Sequence, residues 1–121
     1  MIPELLKKCK KKKIIVNNAN IKRDLIYISD FIEAIVKSIN LEKNFEIINI
    51  GAGKNFSINK IIKTIGKIYK KDVFIESKNF FRKNEILKTQ LDIKKAKKLL
   101  KWEPRWHLKR ALKAMINKMG V

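Results

Sequence analysis

The chain has 121 residues, of which 45% are hydrophobic, so it is long enough for one domain with a modest core and too apolar for a disordered protein. Its formal charge is +19, from 30 Lys and Arg against 11 Asp and Glu. The basic residues are mostly lysine and lie along the whole chain, which argues against a dedicated nucleic-acid-binding protein. No apolar run approaches the roughly 20 residues that cross a bilayer and no signal peptide is recognised, so we expect a cytoplasmic protein without a membrane partner.

Cysteine and histidine each occur once. Cys9 therefore has no partner for an intrachain disulfide, and His107 alone excludes a multi-histidine metal site, so no metal ligand is assigned. Cys9 lies among lysines, whose charge would lower the pKa of its thiol and make it reactive. The simpler interpretation is an incidental thiol on a helix.

The first predicted elements are a short helix and a short strand. Pro3 suits the first turn of a helix that continues through Lys11. The β-branched residues 14–16 predict a strand, and residues 17–22 read as a polar loop. Residues 23–28 then predict an extended segment with an apolar centre.

The second predicted helix begins at Asp30, with Glu33 three residues later in the spacing of a capping box. Its apolar residues recur at i, i+3, i+4 and i+7, which places them on one face: Ile32, Ile35, Val36 and Ile39. We expect this face to lie in the core.

The middle of the chain predicts a strand over residues 45–50, a turn over residues 51–53 and a helix capped by Ser57. This helix repeats the apolar spacing with four isoleucines: Ile58, Ile61, Ile62 and Ile65. A strand is predicted over residues 73–75, followed by a polar loop over residues 76–85.

The last part of the chain predicts two helices. Asp92 can cap a helix over residues 93–100, which residues 102–104 terminate with a proline. The final helix has the same apolar spacing: Leu108, Ala111, Leu112 and Met115. The alternation predicts an α/β chain with about five helices and few short strands in a single unit over residues 1–121.

Catalytic signatures are absent from the sequence. The turn at residues 51–53 lacks the third glycine of a dinucleotide-binding turn. A tyrosine with a lysine four residues later is also missing, because Tyr69 is followed at that distance by Val73 and Tyr27 by Phe31. We therefore assign no catalytic residue and no cofactor-binding residue.

Three residues are candidates for binding an anionic ligand. Arg23 opens the extended segment, and Arg82 lies in a loop three residues before Glu85. An arginine can hold a diphosphate through forked, charge-assisted hydrogen bonds, and a nearby carboxylate can accept from a ribose diol. By residue type alone, ordinary surface ion pairs are the favoured explanation.

Four segments in order resemble the extended short-chain dehydrogenase/reductases, the NAD-dependent epimerases and dehydratases of nucleotide sugars. Residues 23–30 resemble the Arg-Asp-aromatic-x-Tyr/His-Val-x-Asp segment of that family, and residues 49–53 with Ser57 resemble its Asn-x-Gly-x-Gly…Ser segment. Residues 82–85 are similar to the Arg-x-Gly-Asp/Glu loop. Residues 92–104 resemble the Asp-x-x-Lys-Ala…Leu-Gly-Trp-x-Pro ending.

The resemblance implies the carboxyl-terminal, substrate-binding portion of an extended Rossmann-type fold. It implies that Arg23 and Arg82 bind the diphosphate of a nucleotide sugar and that Glu85 contacts the ribose. It also implies that NAD and the catalytic Tyr-x-x-x-Lys pair belong to an amino-terminal Rossmann half. We therefore expect a split-gene product, the product of a degraded gene, or a chain that docks on a separately encoded half. Alone it would bind substrate without turning it over, and it would self-associate or be marginally stable.

The chain departs from the family pattern at several positions. Leu25 replaces an aromatic residue, and His107 stands where Ser or Thr would cap the last helix. Asn17 and Asn84 stand where the family has glycine, and asparagine tolerates a left-handed backbone better than most residues. Two alternatives stay open at this point: a non-catalytic nucleotide-sugar-binding or regulatory module, and a small basic nucleic-acid-binding protein.

Overall fold

Five helices and four short strands make up the computed structural model within the residues that it describes, 1–42 and 45–120. In chain order they are α1 (Ile2–Lys8), β1 (Lys13–Val16), β2 (Lys22–Asp24), α2 (Ile28–Ile39), β3 (Asn55–Ser57), α3 (Ile58–Tyr69), β4 (Phe74–Ser77), α4 (Lys94–Leu100) and α5 (Leu108–Met119). The α/β class with about five helices and few strands is confirmed.

The strands form two separate pairs. β1 and β4 are parallel, with Ile14 opposite Ile75, and β2 and β3 are antiparallel, with Arg23 opposite Phe56. On the other edge of β2, an isolated bridge joins Lys22 to Lys88. β2 therefore lies between β3 and the chain that leaves the loop around residue 85.

The main core lies between α1, α3 and α5. Its buried residues come from all three helices, from β1 and from the loop before β2: Leu5, Leu6, Cys9, Ile14, Ile21, Ile58, Ile61, Ile62, Ile65, Leu112 and Ile116. The predicted apolar face of α3 is entirely buried, and each such isoleucine contributes about 1.5–3 kcal/mol of hydrophobic stabilisation. The Ser57 cap is also confirmed, because its Oγ accepts from the backbone N–H of Lys60 at 3.1 Å.

A smaller, second core lies between α2 and α4. Its buried members are two small and two large side chains: Ala34, Ala96, Leu100 and Trp102. The Trp102 Nε1 donates to the backbone carbonyl of Asp30 at 3.0 Å, so the indole nitrogen is satisfied where it is buried.

The prediction that the apolar face of α2 lies in the core is wrong. Its four predicted core residues are exposed by between 46% and 75%: Ile32, Ile35, Val36 and Ile39. The opposite face, with Asp30 and Ala34, is buried instead. This face carries a small side chain, Ala34, and a hydrogen-bonding one, Asp30, because it packs beside Trp102.

The predicted capping box at Asp30 is also wrong. α2 begins at Ile28, and its N-cap, Tyr27, makes no side-chain capping bond. The Asp30 Oδ2 instead accepts from the backbone N–H groups of Arg105 at 3.1 Å and Trp106 at 3.0 Å. Its carboxylate fastens the start of α2 to the turn before α5.

Other boundaries differ by a few residues. α1 ends at Lys8 rather than Lys11, and β4 covers Phe74–Ser77 rather than residues 73–75. Residues 45–50, predicted as a strand, have no strand partner among the described residues. α4 begins at Lys94 with Ile93 rather than Asp92 as its N-cap, although the Asp92 Oδ1 does accept from the Lys94 N–H at 2.9 Å.

Cys9 is fully buried in the main core. Burial removes the thiolate from water and raises the pKa of this thiol to about 11. The interpretation of Cys9 as a lysine-activated thiol is therefore wrong, and the thiol acts as a small apolar side chain.

Candidate nucleotide-diphosphate site

Arg23 lies on β2 and is held by the loop that follows β4. Its Nη1 donates to the carbonyl of Ile86 at 2.7 Å and to that of Lys22 at 3.0 Å. Its Nη2 lies 3.9 Å from the Glu85 Oε1, a charge pair in which both side chains are largely covered. The structure thus brings together Arg23 and Glu85, which are 62 residues apart in the printed sequence.

Glu85 ends a tight turn that starts at Arg82. The Glu85 N–H donates to the Arg82 carbonyl at 3.1 Å, and the Glu85 Oε2 accepts from the Arg82 N–H at 3.2 Å. Asn84 occupies the left-handed region at φ +61°, as expected for a residue that replaces glycine, whereas Asn17 does not. The turn fixes the Glu85 carboxylate between the Arg82 backbone and the Arg23 guanidinium.

The Arg82 side chain is exposed, and its guanidinium makes no hydrogen bond or ion pair with the described residues. Arg82 therefore joins this group only through its backbone amide. Its five guanidinium donors are available to a ligand.

Asp24 holds together the segments around Arg23, a role that the sequence did not predict. Its Oδ1 accepts from the Ala52 N–H at 2.7 Å, and its Oδ2 accepts from the Leu91 N–H at 3.1 Å. Its own N–H donates to the Thr89 Oγ1 at 3.2 Å. Asp24 thus joins β2 to the glycine turn and to the segment that returns from the Arg82 loop. The sequence signals for it were its adjacency to Arg23 and its place in the Arg-Asp segment at residues 23–30.

Gly51 permits this junction. A Cβ at this position would lie 2.6 Å from the Leu91 Cδ1 and 3.2 Å from the Asp24 Oδ1. A real side chain cannot approach so closely without displacing its neighbours. The glycine turn therefore serves close packing beside β2.

An open groove of about 1850 Å³ lies elsewhere, and its lining includes Tyr27, Trp106 and several lysines but not Arg23, Arg82 or Glu85. The Tyr27 and Trp106 rings are stacked with centroids 4.1 Å apart, and the Arg110 guanidinium lies 4.2 Å from the Trp106 centroid. The Trp106 ring is thus already stacked on Tyr27 and in contact with Arg110 of the same chain. This arrangement argues against the nucleic-acid-binding alternative.

Within residues 1–42 and 45–120, no three His, Cys, Asp or Glu side chains are grouped so that they could hold a metal ion. The helices in the same part of the chain are all too short or too polar to cross a membrane.

Known proteins share both the sequence and the fold of this chain. The profile of the GDP-mannose 4,6 dehydratase family matches residues 2–115. A UDP-glucuronate 4-epimerase from Thermodesulfobacterium geofontis is 41% identical over 96 residues, which are 78% of this chain and 29% of that protein. The first curated relatives are thus much longer, and the chain covers 29–33% of their length.

Two solved structures are similar as well. UDP-glucuronic acid 4-epimerase from Bacillus cereus, in complex with UDP-glucuronic acid and NAD, is 30% identical, with a TM-score of 0.80 over 96% of this chain and 38% of that chain. UDP-glucose 4-epimerase from Thermotoga maritima, solved with UDP-glucose, is 26% identical, with a TM-score of 0.80 over 96% of this chain and 37% of that chain. The profile match over nearly the whole sequence shows that this chain belongs to the GDP-mannose 4,6 dehydratase family of NAD-dependent epimerases and dehydratases, within the extended short-chain dehydrogenase/reductases, and corresponds to its carboxyl-terminal part.

Proposed function

We propose that this chain binds the diphosphate and ribose of a nucleotide sugar as part of an NAD-dependent epimerase or dehydratase, and that it does not turn over the sugar by itself. The observation that carries the proposal is the convergence of Arg23 and Glu85 from distant segments onto one turn, with 3.9 Å between their charged groups. The proposal agrees with the solved B. cereus relative, whose structure contains UDP-glucuronic acid.

Arg23 is the oriented cation of the site. The carbonyl of Ile86 and the carboxylate of Glu85 hold its guanidinium in place, so part of the entropy cost of ordering it is met before a ligand arrives. A charge-assisted hydrogen bond to phosphate contributes on the order of 1.5–3 kcal/mol.

Arg82 supplies the second cation. Its guanidinium is exposed and forms no hydrogen bond or ion pair with the residues that the structure describes. It can therefore turn onto the other phosphate without breaking an ion pair. Two guanidinium forks from separate segments fix both position and orientation. The remaining lysine charge of this +19 chain attracts anions only diffusely through salt solution.

Glu85 accepts from the ribose hydroxyls in this proposal. Its carboxylate direction is set by the Arg82 N–H at 3.2 Å, and the turn through Asn84 brings it back toward β2. Glu85 also keeps the Arg23 guanidinium oriented, so it acts on the ligand both directly and through Arg23.

The glycine turn at residues 51–53 does not fit the pyrophosphate of NAD. Gly51-Ala52-Gly53 does not open a helix, because β3 comes between this turn and α3. The Ala52 N–H is also engaged by Asp24 and does not face a pyrophosphate. NAD, which would take and return a hydride, is therefore assigned to the longer part of the family enzymes. The same part would carry the proton-transferring tyrosine. A cytoplasmic location stays a prediction of the sequence.

Titration of UDP into the purified chain by calorimetry, at physiological salt, tests the proposal. We expect saturable UDP binding that Arg23→Lys and Arg82→Lys each weaken, and no saturable binding of NAD. Equal binding by both variants and the parent would show that lysine charge alone attracts the nucleotide. A regulatory module would bind UDP as well, but no complementary Rossmann half would restore turnover to it.

A further inference from the structure

The carboxyl ends of α1 and α3 meet, and lysines surround them. The Tyr69 Oη near the end of α3 donates to the Leu6 carbonyl of α1 at 3.3 Å. The segments over residues 7–13 and 67–72 contribute nine lysines against one aspartate. All nine are exposed, and we call the surface that they form the lysine pole: Lys7, Lys8, Lys10, Lys11, Lys12, Lys13, Lys67, Lys70 and Lys71.

Helix stability accounts for only part of this charge. Cations in the last turn of a helix interact favourably with its carboxyl end, which explains Lys7, Lys8 and Lys67. The run over residues 10–13 lies outside both helices. Among the residues that the structure describes, only Lys8 and Lys13 of the pole form ion pairs with acids. The lysine pole therefore concentrates positive charge that the two helices do not need.

Two exposed apolar side chains adjoin the pole on the outer face of the β1–β4 pair, whose other face packs on the main core. The register places Lys13 opposite Phe74 on this outer face, and Ile15 follows two residues along β1. Phe74 is 65% exposed and Ile15 is 48% exposed. The Lys13 Nζ lies 5.9 Å from the centroid of the Phe74 ring. Positive charge beside exposed apolar side chains is typical of a surface that lies at a membrane interface.

We propose that the lysine pole and the outer face of β1–β4 bind a membrane surface that carries anionic lipids. Anionic headgroups attract a basic cluster, and Phe74 and Ile15 can enter the boundary between headgroups and acyl chains. The expectation of no membrane partner came from the absence of a spanning segment, which contact with the surface does not need. The inference goes beyond the proposed function and does not depend on it.

Nucleic acid is the competing partner of the lysine pole. Its recognition draws on arginine forks and on aromatic side chains that stack on bases. The pole contains no arginine, because the four arginines of the chain lie elsewhere in the sequence: Arg23, Arg82, Arg105 and Arg110. Of the two apolar side chains beside the pole, Ile15 has no ring to stack on a base. The composition of this surface therefore favours lipid.

The parallel pair separates the lysine pole from the candidate nucleotide site. β1 and β4 both start at the pole, and their other ends lead toward Arg23 and into the turn between Arg82 and Glu85. Each strand has four residues and therefore spans about 10–13 Å. We expect the chain to bind a membrane surface and UDP at the same time.

The test is flotation of the full chain with phosphatidylcholine vesicles that contain about 30% phosphatidylglycerol, at physiological salt. We expect binding that is absent on vesicles of phosphatidylcholine alone and that weakens as salt is added. Saturating UDP should leave the bound fraction unchanged. Equal binding to neutral vesicles would overturn the proposal, because apolar surface elsewhere on the chain would then be sufficient. Displacement by UDP would overturn it as well, because the nucleotide and the lipid would then share their cations.

Lysine variants locate the contact. Replacing the three lysines of residues 10–12 with glutamine should lower the affinity for anionic vesicles by about 100-fold, because each lysine near the surface contributes a factor of about five. The matched control removes the same charge from exposed positions on α4 and α5: Lys98→Gln, Lys109→Gln and Lys113→Gln. This control should lower the affinity by less than about fivefold. Equal losses in the two triple variants would show that net charge alone attracts the chain, and would overturn the proposal.

A phenylalanine pair tests the apolar part of the contact. Phe74→Ala should weaken binding to anionic vesicles by about 10-fold, whereas Phe45→Ala, at a position that is 81% exposed outside the pole, should not. Because both positions are exposed, each variant should keep the melting transition of the parent. Parental binding by Phe74→Ala would remove the sheet face from the proposed surface. If duplex DNA at an equal concentration of phosphate strips the parent chain from anionic vesicles, nucleic acid is the preferred partner and the proposal is overturned.

Discussion

α2 and α3 are helices of equal length with opposite surroundings. Each spans 12 residues and carries a stripe of apolar residues at i, i+3, i+4 and i+7. α3 buries its whole stripe against α1 and α5, whereas α2 turns its stripe to solvent and buries Asp30 and Ala34. Spacing in a sequence therefore predicts an amphipathic helix, but not whether its apolar face is buried within the chain.

The largest expected effect comes from truncating one isoleucine in each helix. Ile62→Ala in α3 removes a fully buried side chain and should lower the free energy of unfolding by about 2–5 kcal/mol. Ile32→Ala in α2, at a position that is 52% exposed, should cost less than about 1 kcal/mol. Urea denaturation followed by circular dichroism measures both. Equal losses would mean that the α2 face is already covered in solution.

The next effect concerns how α2 is held. Asp30→Ala leaves the N–H groups of Arg105 and Trp106 without their acceptor, so it should destabilise the chain by about 1–3 kcal/mol. Asp30→Asn keeps one acceptor oxygen and should cost less. Tryptophan fluorescence during urea denaturation reports this directly, because Trp102 and Trp106 both lie at the junction. If Asp30→Ala is as stable as the parent, another contact holds α2 in place.

A smaller effect tests whether the forked guanidinium of Arg82 contributes to UDP binding beyond its charge. Arg82→Lys keeps the charge but loses the fork, so UDP affinity should fall by a factor of about 5 to 30, equivalent to about 1–2 kcal/mol. Arg105→Lys is the matched control, because Arg105 pairs with Glu33 beside α2 and away from the Arg82 turn. Calorimetry should show parental affinity for Arg105→Lys. A similar loss in both variants would attribute the effect to charge distribution in general.

A further prediction concerns the reaction rate of Cys9 rather than a free energy of unfolding or binding. With the pKa of its thiol raised by burial to about 11, from about 9, the thiolate fraction near neutral pH is about 100-fold lower than for a free cysteine. An aromatic disulfide reagent should therefore react with the folded chain about 100-fold more slowly than with the urea-unfolded chain. Comparable rates would show that the main core opens readily.

The same raised pKa gives a pH dependence with a definite sign. Between about pH 9 and pH 11 the unfolded thiol loses its proton while the folded thiol keeps it, so stability falls as pH rises through this window and is unaffected below it. Burial also raises the pKa of Tyr69, which acts in the same direction. Cys9→Ala should remove the thiol part of the slope, which urea denaturation at several pH values will measure.

Local features were predictable from the sequence, and contacts across long separations were not. Ser57 and the α3 stripe were predicted correctly, because capping and helical spacing involve residues within one or two turns. The roles of Asp24 and Asp30 depend on partners 65 and 76 positions away, which no local pattern specifies. The convergence of Arg23 and Glu85 was anticipated only through the family resemblance, because neither residue type nor spacing could decide it.

The bond between Asp30 and Trp106 has a consequence for synthesis on the ribosome. The two residues are 76 positions apart, so the carboxylate that fixes α2 has no partner until nearly the whole chain has been made. At about 5–20 residues per second, that delay is roughly 4–15 s. During this interval α2 is not yet fastened to the turn before α5. The second core, which contains Ala34 of α2 and Trp102, is therefore one of the last parts of the chain to be completed.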